Sequence, residues 1–238
     1  MEFTSVYLSI RRIPTLTVSK PIRPIIEPKD LEKLLNLPKK TKFGNRDRFI
    51  LILLYDSAIR VGELIRITVG DVSVTDDSVS VLIHGKGRKE RLIILSDKAA
   101  EHMKAYLKAY WPEFTDYHAP LIYTKTHGMI TPMSERNVER ITKKYGDLLK
   151  NICANIPESI YPHMFRRTRA TTLYRDGVPI EQVSALLGHE QIETTRSHYA
   201  NPSPEQLREP INRATEGEPE CKEWMNHIDE MKAKFGLK

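Results

Sequence analysis

His163-Met164-Phe165-Arg166 opens a run that continues through Leu186-Leu187-Gly188-His189 to Thr194-Thr195-Arg196-Ser197-His198-Tyr199. His163 and Arg166 stand three residues apart, so on a helix they share one face. An imidazole beside a guanidinium suits a phosphate: the fork gives bidentate hydrogen bonds and the ring donates another. Leu186-Leu187-Gly188-His189 has the form of a helix end, with glycine after the last apolar residue. That ending projects His189 from a tight turn. Tyr199 follows ten residues after His189, across a short helical pattern at about 193–199.

Two stretches upstream extend the set. Ser57-Ala58-Ile59-Arg60-Val61-Gly62-Glu63-Leu64 places Arg60 at a helix start. His84-Gly85-Lys86-Gly87-Arg88-Lys89-Glu90-Arg91 sets Lys86 between glycines at a hairpin tip, where a lysine reaches atoms far from its own strand. Two arginines, two histidines, a lysine and a tyrosine make a set fit for phosphoryl transfer without metal. Each piece also has a plainer reading. His163 and Arg166 alone are a common surface pair, and Gly-Lys-Gly is a common turn. Arg60 could simply pair with Glu63, and Tyr199 could belong to a core. The order and spacing of all the pieces together carry the weight.

The frame around them is mainly helical. Helical patterns start at Pro28, with Leu31, Leu34, Leu35 and Leu37 as an apolar face, and recur at about 45–57 and 61–67. Val72, Val74, Val79, Val81 and Ile83 alternate with polar residues, and Arg91–Leu95 reads as a return strand. The spacing predicts a β-hairpin or three-stranded meander with a basic tip. Further helices are expected at about 97–109, 134–152, 164–176 and 180–187, with 121–123 as strand or loop. The class is α+β: mainly α with a small antiparallel β-sheet. Residues 1–27, with prolines at 14, 21 and 24 among basic residues, read as a linker or arm. The folded domain is expected over 28–200 and a tail over 201–238. In that tail Trp224, Ile228, Met231 and Phe235 fall on one helical stripe, which docks either on its own core or on a neighbouring subunit.

Composition narrows the classes. The chain has 238 residues, 40% of them hydrophobic, enough for a sizeable core. No apolar run approaches the roughly 20 residues a membrane-spanning helix needs. No apolar segment of a secretory leader follows Met1. Two cysteines exclude a disulfide framework and a four-cysteine zinc site, and fit a reducing, cytoplasmic setting. The histidines lack the close spacing of zinc ligands, so no metal is expected. Lys plus Arg number 37 against 31 Asp plus Glu, a net charge of +6 that suits a polyanionic partner.

With these residues in order, the sequence resembles the catalytic domain of the tyrosine recombinase, or phage integrase, family over roughly 28–199. The resemblance implies that Arg60, Lys86, His163, Arg166, His189 and Tyr199 are catalytic. It implies attack of Tyr199 on a DNA phosphodiester, a 3′-phosphotyrosine, and exchange through a Holliday junction. Arg60 and Arg166 would clamp the phosphate, His163 would assist deprotonation of Tyr199, Lys86 would protonate the leaving 5′-oxygen, and His189 would donate to the phosphate. Glu63 would orient Arg60. Arg88, Lys89, Arg91, Arg136, Arg140, Lys143, Lys144, Arg167 and Arg169 would contact DNA phosphates.

The implied partners are double-stranded DNA, further copies of the chain in a homo-oligomer (a tetramer on synapsed sites) held by the C-terminal helix, and accessory DNA-bending or directionality proteins. No cofactor, metal or membrane is implied. The function expected is site-specific recombination for a mobile element. The alternatives are a DNA-binding module that does not recombine and a DNA-relaxing enzyme of the type IB topoisomerase kind.

Three departures from the family pattern stand out. In many members the nucleophile follows the histidine of the Leu-Leu-Gly-His motif by nine residues, which here is His198. Histidine cannot form a tyrosyl ester, so Tyr199 is the assignment. Ala58-Ile59 stands where a glycine is common. No helical core-binding domain is read before residue 28, so residues 1–27 are expected to be an inter-domain linker.

Overall fold

Pro28, whose missing N–H belongs to the set that any helix start leaves unbonded, opens α1 (Pro28–Asn36). The computed structural model describes residues 24–85, 89–112, 116–188 and 195. Thr41 caps α2 (Lys42–Asp56) by accepting from the Gly44 N–H at 3.1 Å. That cap starts the helix three residues before the apolar pattern shows it. Phe49, Ile50, Leu51, Leu53 and Leu54 are buried around most of its circumference, so α2 is the central rod. It packs on α1 and on three helices still to come.

A corner at 57–60 leads to α3 (Val61–Leu64), then to a 3-10 turn (Val69–Asp71). The expected helix over 61–67 is this shorter one. An antiparallel meander follows in the order β1 (Val72–Val74), β2 (Val79–His84), β3 (Glu90–Ile94). Val79, Val81 and Ile83 are buried, as their alternation requires, and the final rung of the β2–β3 ladder pairs His84 with Glu90. Ser96 caps α4 (Asp97–Tyr110) through the Ala99 N–H.

A second hairpin was not expected. β4 (Tyr123–Thr126) and β5 (Met129–Pro132) pair antiparallel, joined by His127 and Gly128, both with positive φ. That two-residue link matches the twist of the strands it joins. Each strand is only four residues long, β4 is half-exposed to exposed and β5 is exposed throughout, its apolar Met129 and Ile130 lying side by side, so no apolar alternation announces them.

The chain then forms α5 (Glu135–Lys150), α6 (Pro162–Arg175) and α7 (Ile180–Leu187), which ends on left-handed Gly188. α2 packs against α4, α5 and α6, and α6 against α7. The mainly helical class with small antiparallel sheets is what the sequence leads one to expect. The helix expected at about 193–199 lies outside the described residues except for Thr195, which is helical and buried. The tail at 201–238 lies wholly outside them. Among the described residues, no helix is long and apolar enough to cross a membrane.

The folded unit begins before Pro28. Ile26 is fully buried, and its N–H donates to Thr168 Oγ1 at 3.1 Å. Arg167 Nε donates to the Pro24 carbonyl at 2.9 Å. Residues 24–27 are therefore seated on α6 rather than solvated as part of a linker.

Candidate active site

The α2–α3 corner sets Arg60. Ala58 takes a left-handed conformation (φ 51°), where a side chain is disfavoured by about 1 kcal/mol. It does so fully buried, packed with Ala170, Val183 and Leu187. Two residues on, Arg60 is the N-cap of α3. Its backbone N–H donates to Glu63 Oε2 at 2.9 Å and its Nη1 donates to Oε1 at 3.0 Å. The Arg60 side chain is still about half exposed, whereas Glu63 is buried.

Glu63 serves a second arginine. Arg91 on β3 donates from Nη1 to Oε1 at 3.1 Å and from Nη2 to Oε2 at 2.8 Å. Arg91 Nε donates to the Leu186 carbonyl at 3.2 Å, near the end of α7. Gly188 lies so close that a Cβ there would meet Arg91 Cδ and Nη1 at 3.1 Å. Two guanidinium groups share one carboxylate, so the trio keeps a surplus positive charge. Burial alone would push the Glu63 carboxyl up, but the Arg91 hydrogen bonds and the Arg60 backbone N–H outweigh it and hold it at about 2.

A stability prediction follows from that balance. Glu63→Ala removes a buried carboxylate and leaves the largely covered Arg91 without its counter-charge, and is expected to destabilise the fold by roughly 2–4 kcal/mol in urea unfolding at neutral pH. Because the folded pKa lies below the ordinary 4.5, the stabilisation is complete above about 4.5 and is lost as pH falls toward about 2. The gap between parent and variant is expected to close over that window. An unchanged gap at pH 2–3 would show that the carboxylate charge is not what matters.

Arg166 ties the corner to α7. It is fully buried on α6, with Nη1 donating to the Ala58 carbonyl at 2.8 Å and Nη2 to the Leu187 carbonyl at 2.7 Å. One side chain therefore spans the segment two residues before Arg60 and the segment two residues before His189. His163 sits one turn earlier on α6 and is exposed. Lys86, Arg88, His189 and Tyr199 lie outside the described residues.

The other expected phosphate contacts divide into two groups. Arg136, Arg140, Lys143 and Lys144 are exposed on α5, and Lys89 is exposed at the neck of the β2–β3 hairpin. Arg140, Lys143 and Lys144 line a groove of about 580 Å³ with Asp47 and Asp147, joined by Arg46 from α2, which the sequence did not single out. Arg91, Arg167 and Arg169 have partners inside the protein instead. Arg91 is bound to Glu63 as above. Arg167 is buried and donates to the Pro24 carbonyl and, at 3.0 Å, to the Tyr161 hydroxyl. Arg169 reaches Asp56 at 3.4 Å and lies over the Tyr55 ring. Each of these three joins chain segments that are distant in sequence, which is a different placement from a solvent-facing cation.

One group escaped the sequence reading. His84, on the last rung of β2, has Nδ1 at 2.9 Å from Glu90 Oε1 and Nε2 at 2.9 Å from Asp71 Oδ1. Nothing in the spacing of residues 71, 84 and 90 signals it, because the 3-10 turn and the meander bring them together.

Helix bundle, small sheets and an arginine-linked corner together are the catalytic-domain fold of tyrosine recombinases, and the chain belongs to the phage integrase family, whose model matches residues 24–206. The match starts at the residue where the described chain starts. Tyrosine recombinase XerD of Staphylococcus haemolyticus is 32% identical over 203 residues, covering 84% of this chain and 65% of that protein. The chain thus spans about two-thirds of the length of that relative. Among solved structures, the post-cleavage complex of the XerH site-specific recombinase with a palindromic difH substrate superposes with a TM-score of 0.67 at 20% identity, covering 83% of this chain and 55% of that one. The XerA recombinase gives 0.65 at 22% identity, covering 89% and 76%.

Proposed function

We propose that this chain is the catalytic part of a site-specific DNA recombinase that works through a 3′-phosphotyrosine at Tyr199. The observation that carries the reading is the pair of arginine ties. Arg166 joins the Arg60 corner to the end of α7, and Arg91 joins the same end to Glu63. The segments that hold Arg60, His163 and Arg166 are thereby bound to one another and to the end of α7, after which His189 follows in sequence.

In the proposed step the Tyr199 oxygen attacks the phosphorus of a DNA phosphodiester and the bond to the 5′-oxygen breaks. A tyrosine of ordinary pKa about 10 needs help to lose its proton at neutral pH, and His163 assists. Arg60, Arg166 and His189 donate to the non-bridging oxygens, whose charge grows in the transition state. The Lys86 ammonium gives its proton to the departing 5′-oxygen and becomes a neutral amine. The ester stores the bond energy, so a 5′-hydroxyl of a second strand reverses the step. Exchange of both strand pairs passes through a Holliday junction on synapsed sites, with copies of the chain linked through the 201–238 tail. The exposed cations of α5 hold the duplex by its phosphates, fixing position rather than sequence. A reducing cytoplasm, a mobile-element role and accessory bending proteins are part of this reading.

The test is a covalent trap. The protein is incubated with nicked DNA fragments and denatured in detergent, and the DNA that stays attached is sequenced. The expected result is an adduct on the peptide containing Tyr199 and enrichment of one sequence. Retention before denaturation with no adduct after it would replace this reading with a DNA-binding module that does not recombine. Adducts spread over random sequence, with relaxation of supercoils, would replace it with a topoisomerase.

A further inference from the structure

The His84 clamp stands at the base of the hairpin whose tip carries Lys86, two residues further on. Each ring nitrogen faces a carboxylate at 2.9 Å, and an ionised carboxylate only accepts, so the geometry favours the doubly protonated, cationic ring. Its two acceptors come from different elements. Asp71 ends the 3-10 turn, and its other oxygen is fixed by the Thr68 N–H and hydroxyl, both at 2.8 Å. Glu90 begins β3 and is the rung partner of His84 itself. Just beyond, the Gly85 N–H donates to the Lys89 carbonyl at 2.7 Å and closes the neck. Among the described residues, Asp71 and Glu90 are the charged groups facing the ring.

We infer that His84 is a positioning residue for proton delivery: as an imidazolium held between Asp71 and Glu90, it pins the neck of the β2–β3 hairpin to the 3-10 turn and so fixes where the Lys86 ammonium arrives. The inference rests on the proposed role of Lys86 as proton donor to the 5′-oxygen. A proton donor must come within hydrogen-bond reach of its acceptor, and a misplacement of about 1 Å can lower the rate about a hundredfold. The clamp also titrates. Its hydrogen bond to Asp71 holds the ring above the ordinary histidine range, against a smaller opposing effect of burial. Loss of that proton leaves one carboxylate without its donor and frees the neck from either the turn or β3.

The test separates positioning from general structure by the leaving group. Ordinary DNA leaves an alkoxide that must be protonated. DNA with a bridging 5′-sulfur leaves a thiolate that needs no proton. His84→Ala is expected to slow adduct formation roughly 10- to 100-fold on ordinary DNA and less than about threefold on the sulfur substrate, with duplex binding unchanged. Glu90→Gln, at a more exposed position, is expected to follow the same pattern more weakly and serves if His84→Ala folds poorly. Equal slowing of both variants on both substrates would overturn the inference. Lys86→Ala is the reference: rescued by sulfur when His84→Ala is not, it leaves the Lys86 role standing and sinks only the clamp. If Lys86→Ala is slow on both substrates, the Lys86 role falls and the clamp inference falls with it. Proton NMR of the free full chain gives a reading independent of catalysis. The His84 ring is expected to titrate above the ordinary 6.5 and to drop in Asp71→Asn; titration at or below 6.5 in the parent would overturn the clamp.

Discussion

Tyr199→Phe is expected to leave no protein–DNA adduct at all while binding duplex DNA within about twofold of the parent. The change deletes one oxygen and nothing else. In the proposed mechanism covalent catalysis depends wholly on that oxygen, because its bond to phosphorus is the intermediate. Affinity depends instead on the many phosphate contacts, each of which fixes position whether or not a nucleophile is present. A filter-binding curve and a detergent-resistant adduct assay on the same preparation separate the two. The neighbouring His198 supplies the control. It stands at the spacing where many family members carry the nucleophile, yet an imidazole forms no stable ester with DNA. His198→Asn is expected to keep the adduct. An adduct surviving in Tyr199→Phe, or vanishing only in His198→Asn, would mean that the nucleophile is not Tyr199.

Arg166→Ala is expected to fail in two separate measurements. In chemical denaturation the loss should be roughly 3–5 kcal/mol, because a fully buried side chain is removed and two inward carbonyls, those of Ala58 and Leu187, lose their donors. In cleavage the loss should be about a hundredfold to a thousandfold, the size seen when one donor to a developing oxyanion is deleted. Arg60→Ala makes the contrast. Arg60 is half exposed, so its ion pair with Glu63 contributes only about 0–1 kcal/mol to stability, while its cleavage defect should match that of Arg166→Ala. Arg166→Lys retains the charge but not the planar fork that reaches two carbonyls at once, so it should recover little of either loss. Normal cleavage by Arg166→Ala, in a sample shown to be folded, would confine this arginine to a structural part.

Helices were readable where a start or stop residue or an apolar stripe marked them, as with Pro28 at the start of α1 and Gly188 after α7, whereas the Thr41 cap of α2 was missed and that helix was read three residues late. The β2 strand was readable from Val79, Val81 and Ile83. The Arg60–Glu63 pair was readable too, since three residues on one helix start bring them together. What escaped were partners far apart in sequence. Arg91 meets Glu63 across 28 positions only because the fold brings the Arg91 side chain of β3 within reach of α3. Arg167 resembles a surface cation, but α6 is buried from Met164 through Thr168, so it has no polar face there for periodicity to reveal. The β4–β5 hairpin escaped for the opposite reason, its strands being short and mostly exposed, with Met129 and Ile130 adjacent rather than alternating. Ala58 had a hint of its own. It stands where the family often places glycine, and the structure gives it the backbone conformation that glycine adopts without strain.

The tie made by Arg166 has a thermodynamic corollary. Because one guanidinium holds the Ala58 and Leu187 carbonyls together, departure of the α7 terminus would strand a buried cation short of an acceptor and loosen the Arg60 corner in the same event. Linkage then works in both directions with equal force. Whatever steadies the end of α7, including a second copy of the chain engaging the residues beyond it, tightens the corner by the same factor by which an anion held at the corner steadies the end of α7. Under the proposed function, seating of a neighbour and grip on a phosphate would be, through this one side chain, reciprocal.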